Sequence, residues 1–315
     1  MNYRKLGNTQ IEVSEICFGS LTLGPVQANL SISRGADILA YAIEQGINFT
    51  DTAQLYETYP YIKQAMKQTG KYDLVISSKT YAYSRELAIE AVEQARKELN
   101  RDYIDIFMLH EQESIHTLNG HGAALEYLFE CKQKGIIKAV GASMHHVSAV
   151  YGAIKKELDV IHPMLNFNGL GIVDGSREDM EIAIKQAHDF GIGIFSMKAL
   201  GGGNLFKNAE QCLSYITSLD YIDCVAIGMQ REEEVDANIG FFKNHKFDKN
   251  TLAILDKKER KLHIEDWCTG CGNCIKRCNQ SALRIEENKA VCDFEKCVLC
   301  GYCSTVCSEW CIKIV

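Results

Sequence analysis

The chain has 315 residues, enough to bury one large core and a smaller second domain. Its 41 acidic and 34 basic side chains leave a formal net charge of -7, which offers neither a nucleic-acid surface nor a polybasic membrane patch. The opening MNYRKLGNTQIEVSE has no apolar signal-peptide core and no membrane span, so a cytoplasmic location with reduced cysteines is expected.

From the N-terminus, short apolar runs alternate with amphipathic stretches. The expected strands are Glu15–Gly19, Asn48–Thr52, Leu74–Lys79, Ile104–His110, Ile137–Ser143, Val160–Phe167, Ile192–Lys198 and Cys224–Met229. Between them, Leu87, Ala91, Val92, Ala95 and Leu99 recur at steps of three and four, as do Leu125, Leu128 and Phe129. That spacing places them on one helical face. Strand and helix alternating about eight times predict an α/β fold, a (β/α)8 TIM barrel, over residues 1–260. A doubly wound open sheet alternates in a similar way, but no G-x-G-x-x-G follows the first strand here.

A barrel of this kind places its chemistry where strands end and the following loops begin. Asp51 and Tyr56 follow the second expected strand, Lys79 ends the third and His110 ends the fourth. Taken singly, Asp51 reads as a helix cap, Lys79 as a solvated strand end and His110 as a hydrogen-bonded rim residue. Consecutive strands presenting an acid, an amine, an imidazole and a phenol on one rim point to a shared site. His145 and His146, after the fifth strand, either line that pocket or take a capping or surface role.

Residues 261–315 form the second expected domain, and cysteine dominates it. Cys268, Cys271, Cys274 and Cys278 read C-x2-C-x2-C-x3-C, and Cys297, Cys300, Cys303 and Cys307 repeat the pattern 29 residues on. This spacing is similar to that of bacterial ferredoxins with two [4Fe-4S] clusters, where the last Cys of each run serves the other cluster. Three thiolates at this spacing wrap one face of a cube, and the fourth corner comes from elsewhere. Cys268, Cys271, Cys274 and Cys307 are therefore assigned to one cluster, and Cys297, Cys300, Cys303 and Cys278 to the other. Zinc also uses C-x2-C, but it does not call for a third Cys at the same short step. The repeat extends to Gly272 with Gly301, Ala282 with Cys311, Leu283 with Ile312 and Ile285 with Ile314. The proline usual after the fourth Cys is replaced by Asn279 and Ser308. Cys311 reads as a small buried residue and Cys292 as a free thiol.

Residues from about Asn2 to Phe242 resemble the aldo-keto reductase family in RKLGNT, DTAQLY, SSKT, FMLH, VGAS and MKALGGG. The resemblance implies hydride transfer between a nicotinamide and an aldehyde, ketone or alcohol substrate. It implies Tyr56 as general acid, Lys79 as the ammonium that lowers the phenol's pKa, Asp51 as the partner that keeps Lys79 charged and oriented, and His110 as the group orienting the carbonyl oxygen. It also implies cofactor contacts from Ser143, from Gly201, Gly202 and Gly203, and from Arg231 and Asn238. Met144 and Met164 stand where relatives carry amide side chains, and Gly228 and Glu234 where some carry Lys and Arg. The cofactor is expected to be NADP or NAD, with NADP slightly favoured.

A cluster moves one electron and a nicotinamide two, so the pairing calls for a converter, and FMN or FAD is the usual one. No flavin motif is visible. Three readings follow: a nicotinamide-dependent reductase with an electron-transfer domain, a flavin- or ferredoxin-dependent reductase fed by the clusters, and a non-enzymatic redox-sensing subunit. A ferredoxin or other redox protein is the expected partner of the second.

Overall fold

The computed structural model describes residues 1–255 and 260–315. The expected domain boundary between 260 and 261 adjoins residues 256–259, which lie outside the described residues. Among the described residues no helix is long and apolar enough to cross a membrane.

An antiparallel hairpin of β1 (Tyr3–Lys5) and β2 (Glu12–Ser14) comes first. Eight parallel strands then close into a barrel: β3 (Ile16–Gly19), β4 (Phe49–Asp51), β5 (Val75–Thr80), β6 (Ile104–Leu109), β7 (Ile137–Met144), β8 (Val160–Pro163), β9 (Gly193–Met197) and β10 (Cys224–Gly228). β10 pairs with both β9 and β3, so no barrel strand is left as an edge. Period-two alternation sends Cys17, Phe49, Val75, Ile106, Phe195 and Cys224 inward, where they fill the barrel. Leu6, wholly buried, joins this interior cluster from the hairpin. Gly7 permits the approach, because a Cβ there would come within 2.3 Å of the Gly193 nitrogen.

Helices cover the outside. The helix Arg85–Leu99 buries Ala88, Ala91, Val92, Ala95 and Leu99. Leu87, expected on that face, is instead 37% exposed. It sits in the first turn beside the Ser84 cap, and Ala88 takes the core position one step on. The expected strand Val160–Phe167 also ends early, at Pro163. Met164 makes only an isolated bridge to Met197, and the Asn166 side chain ties the chain into a loop by bonding both backbone groups of Leu170.

In the C-terminal part, β11 (Leu262–Ile264) pairs with β14 (Ile312–Ile314), and β12 (Leu283–Glu286) with β13 (Lys289–Cys292). The sequence repeat is a repeat of backbone geometry. Gly272 and Gly301 precede the short helical segments Asn273–Arg277 and Tyr302–Val306 with φ of 77° and 75°. Ser281 and Trp310, also 29 residues apart, have φ of 50° and 51°.

This part docks on the barrel mouth. The Ile314 N–H donates to the Gly202 carbonyl at 3.2 Å, and Asn204 Nδ2 donates to the Ile312 carbonyl at 3.1 Å. Gly203 meets the Ile314 carbonyl so closely that a Cβ would fall 1.9 Å from its oxygen. Trp310, 7% exposed, packs with Met164, Met197 and Leu170 over the ends of β8 and β9.

Candidate functional sites at the barrel mouth and the cysteine-rich end

Asp51 ends β4, and a hydroxyl network fixes the loop behind it. Ser20 Oγ donates to the Asp51 carbonyl at 2.8 Å, while Thr58 Oγ1 lies 2.7 Å from the hydroxyls of both Ser20 and Thr52. The short 3-10 turn Gln54–Tyr56 carries the phenol over the rim. Lys79, on β5 and 1% exposed, donates to Asp51 Oδ2 and to the Thr52 carbonyl, each at 2.7 Å. Its Nζ lies 4.9 Å from the Tyr56 ring centre. His110, one residue past β6, brings Nε2 to 3.3 Å from Tyr56 Oη. The residues drawn from three strand ends thus stand together on one rim.

The charge balance differs from the one the sequence suggests. The Lys79 ammonium is engaged by Asp51, and Tyr56 is held well above the usual phenol value, first by burial and then by Asp51 and Glu111. His110 is held well below the usual imidazole value, by burial and then by Lys79. Both groups are therefore neutral at pH 7, with the proton on the phenol.

Lys79→Met leaves the 5%-exposed Asp51 carboxylate without its cation. Breaking a buried pair in this way costs about 3–5 kcal/mol. Denaturant unfolding of the variant checks this, and a loss below about 1 kcal/mol, the size of an exposed pair, would contradict it.

Three rim residues escaped the sequence reading. His162 points into the barrel from β8, stacks on Phe195 at 4.0 Å and lies 3.8 Å from Asp51 Oδ2. Burial takes it down to about 4, so it too is neutral. Its signal was its phase, two residues after inward-facing Val160. Tyr81 stacks on His110 at 4.5 Å and donates to Glu111 Oε2 at 2.5 Å. Lys198 follows β9 and brings Nζ to 3.0 Å from His145 Nε2. His146 instead precedes the helix Val147–Lys155, whose first N–H groups donate to Asp174.

The expected cofactor contacts fall into two groups. Arg231 caps the start of the helix Glu232–Asn244 beyond β10, and Asn238 is buried midway along it. Arg231 keeps Nε and one terminal nitrogen buried without a hydrogen-bond acceptor, with Glu234 Oε1 3.7 Å from Nε. Asn238 Nδ2 donates to the Glu234 carbonyl at 2.8 Å. At the other end, Ser143 Oγ accepts the Glu111 N–H at 2.8 Å, and Met144 and Met164 are wholly buried. Trp310 covers Met164, and β14 lies along Gly202 and Gly203. Where the sequence reading sets a pyrophosphate against these glycines, the fold sets backbone.

Two clefts open in the C-terminal part. One is lined by Cys268, Cys271, Cys274 and Cys307, the other by Cys278, Cys297, Cys300 and Cys303. Each takes its fourth cysteine from the other run. Backbone N–H groups of Ala282 and Cys311 donate to Cys278 Sγ and Cys307 Sγ at 3.4 and 3.3 Å, the same bond in each half of the repeat. Ala290 donates to Cys268 Sγ at 3.5 Å. Cys311 is buried, and Cys292 lies on β13 with its thiol toward Cys297, outside both quartets. Among the described residues, no group of three or more His, Cys, Asp or Glu side chains is gathered so as to hold a single metal ion.

The sequence model described as the Aldo/keto reductase family matches residues 15–211. YqkF, an uncharacterised oxidoreductase of Bacillus subtilis, is 28% identical over 183 residues, covering 53% of this chain and 56% of the relative. A 57-residue stretch, 18% of this chain and 22% of the relative, is 39% identical to one component of the ion-translocating oxidoreductase complex of Methanosarcina acetivorans. An aldo-keto reductase from Bacillus halodurans, solved in its holo form, shares the fold with a TM-score of 0.65 at 21% identity, over 82% of this chain and 96% of that one. The chain spans 47% to 66% of the length of the first curated relatives it matches.

Proposed function

The chain belongs to the aldo/keto reductase family, and on that premise we propose that its barrel interconverts a carbonyl compound and the corresponding alcohol. The observation that carries this reading is the meeting of Tyr56, His110, Lys79 and Asp51 on one rim, with the proton held on Tyr56. A substrate carbonyl oxygen sits against Tyr56 Oη and His110 Nε2. Tyr56 gives its proton to that oxygen as the carbonyl carbon is reduced, and the nearby Lys79 ammonium offsets the charge left on the phenolate. His110, neutral in this site, orients the oxygen without competing as an acid. Asp51 holds Lys79 under the ring. Oxidation of the alcohol runs the same transfers backwards.

A bound nicotinamide supplies or accepts the hydride in this chemistry. Arg231 and Asn238 would hold its adenosine end, and the Arg231 guanidinium, paired with Glu234 at 3.7 Å but with two nitrogens lacking a hydrogen-bond acceptor, suits a phosphate. Ser143 and Gly201–Gly203 would hold the remainder. Trp310 and β14 lie over that second group, so a dinucleotide seated there needs the C-terminal part to shift.

Trp310→Ala is therefore expected to tighten NADPH binding by at least about tenfold, or 1.4 kcal/mol. Calorimetric titration of the parent and the variant measures it. Equal affinities would mean that the dinucleotide does not use this groove.

Residues 261–315 are proposed as a separate domain holding two [4Fe-4S] clusters on the two quartets. A cube spreads four thiolates around its volume, which suits clefts better than a convergent single-ion site. The N–H bonds to Cys268, Cys278 and Cys307 are of the kind that tunes cluster potential. Such clusters, held by the two quartets, would supply one-electron transfer between a redox protein and the barrel.

The cover that Trp310 and β14 place over the nicotinamide end favours a second reading. In it, a ferredoxin-like partner would supply two electrons one at a time, a bound FMN or FAD would pair them for the carbonyl, and the dinucleotide is secondary. The two readings part on the electron donor that sustains aldehyde reduction by the full chain.

A further inference from the structure

Lys198 stands on the catalytic face of the barrel in a backbone conformation that a residue with a Cβ rarely adopts, φ +59°. It ends no helix and caps no turn with its side chain. Its ammonium lies 3.0 Å from His145 Nε2, and His145 in turn lies 3.9 Å from Glu111 Oε1, next in sequence to His110. A second amine stands close by. Lys313, 5% exposed, donates to the Trp310 carbonyl, and its Nζ is 5.2 Å from the Trp310 ring centre. Lys198 Nζ is 5.9 Å from the same ring. Among the described residues neither lysine makes an ion pair. Two amines and a neutral imidazole thus border the mouth beside Tyr56 and His110, with no carboxylate in contact with either ammonium.

We infer that Lys198, with His145 beside it and Lys313 behind it, binds the carboxylate of an anionic carbonyl substrate, so that the substrate class is small oxo acids. The inference rests on the carbonyl chemistry proposed above and adds the group that selects the substrate. Tyr56 and His110 take the carbonyl oxygen and Lys198 the carboxylate, a two-point hold that fixes the reacting carbon between them. A half-buried amine with no carboxylate in contact gains from an anion that is itself leaving water. Glu111 and Glu265 also face Lys198 and favour its charged form, whereas Lys313 and Lys79 oppose it. Burial, the largest influence, takes Lys198 down to about 7, and Lys313 down to about 8. His145 is held well below its usual value, so it stays neutral as these amines titrate. The bound anion should therefore be lost as pH rises through this range.

Oxalate is the probe, because it carries the paired carboxylates and nothing to reduce. Calorimetric titration of the full chain at pH 6.0 and pH 8.5 should show oxalate affinity falling at least about tenfold over that range. Lys198→Gln should lower the affinity at pH 6.0 at least about tenfold and flatten the pH dependence. The pH series on the parent protein stands whatever the folding of the variant. The ratio of kcat/KM for glyoxylate over propanal should fall in the same variant.

Inorganic pyrophosphate is the second probe, since Lys198 also precedes the Gly201–Gly203 loop. Pyrophosphate binding more tightly than oxalate, with the same loss in Lys198→Gln, would assign the anion site to the cofactor and overturn the proposal. So would pH-independent oxalate binding, or a folded variant that binds oxalate like the parent. Oxalate binding without any aldehyde reduction would leave the anion site standing and remove the carbonyl chemistry instead.

Discussion

Tyr56→Phe is expected to lower the rate of aldehyde reduction at pH 7 by about 10²–10⁴-fold, the usual worth of a positioned acid. The site holds one proton in position to be given, on Tyr56 Oη, 3.3 Å from His110 Nε2. His110 cannot take over the role at neutral pH, because burial and the Lys79 charge keep it unprotonated. Lys79 is turned toward Asp51 and the Thr52 carbonyl and offers no proton along the same line. Nicotinamide affinity should change little, since the phenol bonds no expected cofactor contact. Steady-state kinetics with a good aldehyde measure the effect. A Phe variant that works at the parent rate removes Tyr56 from the chemistry.

The second large effect concerns cluster ligation. Anaerobically prepared protein should contain about eight iron and eight acid-labile sulfide per chain. Because each cleft takes its fourth cysteine from the other run, paired substitutions should reveal the crossing. Cys278→Ala with Cys300→Ala touches one cleft and should leave about half the iron. Cys278→Ala with Cys271→Ala touches both and should leave little. Were each run to hold its own cluster, the order would be reversed: the Cys278 and Cys271 pair would retain half, and the Cys278 and Cys300 pair almost none.

Much of this architecture is legible in the sequence because its causes are local. The strand runs of the barrel bury both faces and read as apolar blocks, and β3 to β10 lie on them, with β5 and β7 each running one residue further and Val160–Phe167 overshooting Pro163 by four residues. The overshoot came from Met164 and Leu165, which are apolar because Trp310 and the barrel cover them, not because they belong to the ladder. Leu87 failed for the opposite reason, as its helical phase fits but the first turn lies clear of the sheet. The rim residues were readable from their place at strand ends. The charge balance between them was not, since only the folded distances show Lys79 spent on Asp51 rather than on the phenol.

Contacts between distant segments were the least visible. Nothing in Gly201–Gly203 tells a phosphate-binding turn from a seat for a backbone strand, because both need glycine for close approach. Trp310 stands opposite Ser281 in the repeat, and its place over Met164 and Met197 shows only in the fold. Lys198 and His162 are single polar residues in apolar runs, and only the closing of the barrel brings them to His145 and Asp51.

Carbonyl chemistry in this barrel is tested most directly by aldehyde reduction with the anaerobically purified full chain, run in parallel with NADPH and with reduced methyl viologen as donors. Turnover of an aldehyde or oxo acid is expected with at least one of them. NADPH-driven turnover supports the dinucleotide reading, and viologen-driven turnover alone supports the cluster-fed one. Folded, iron-loaded protein that reduces no carbonyl compound with either donor would mean that this barrel does not carry out carbonyl chemistry.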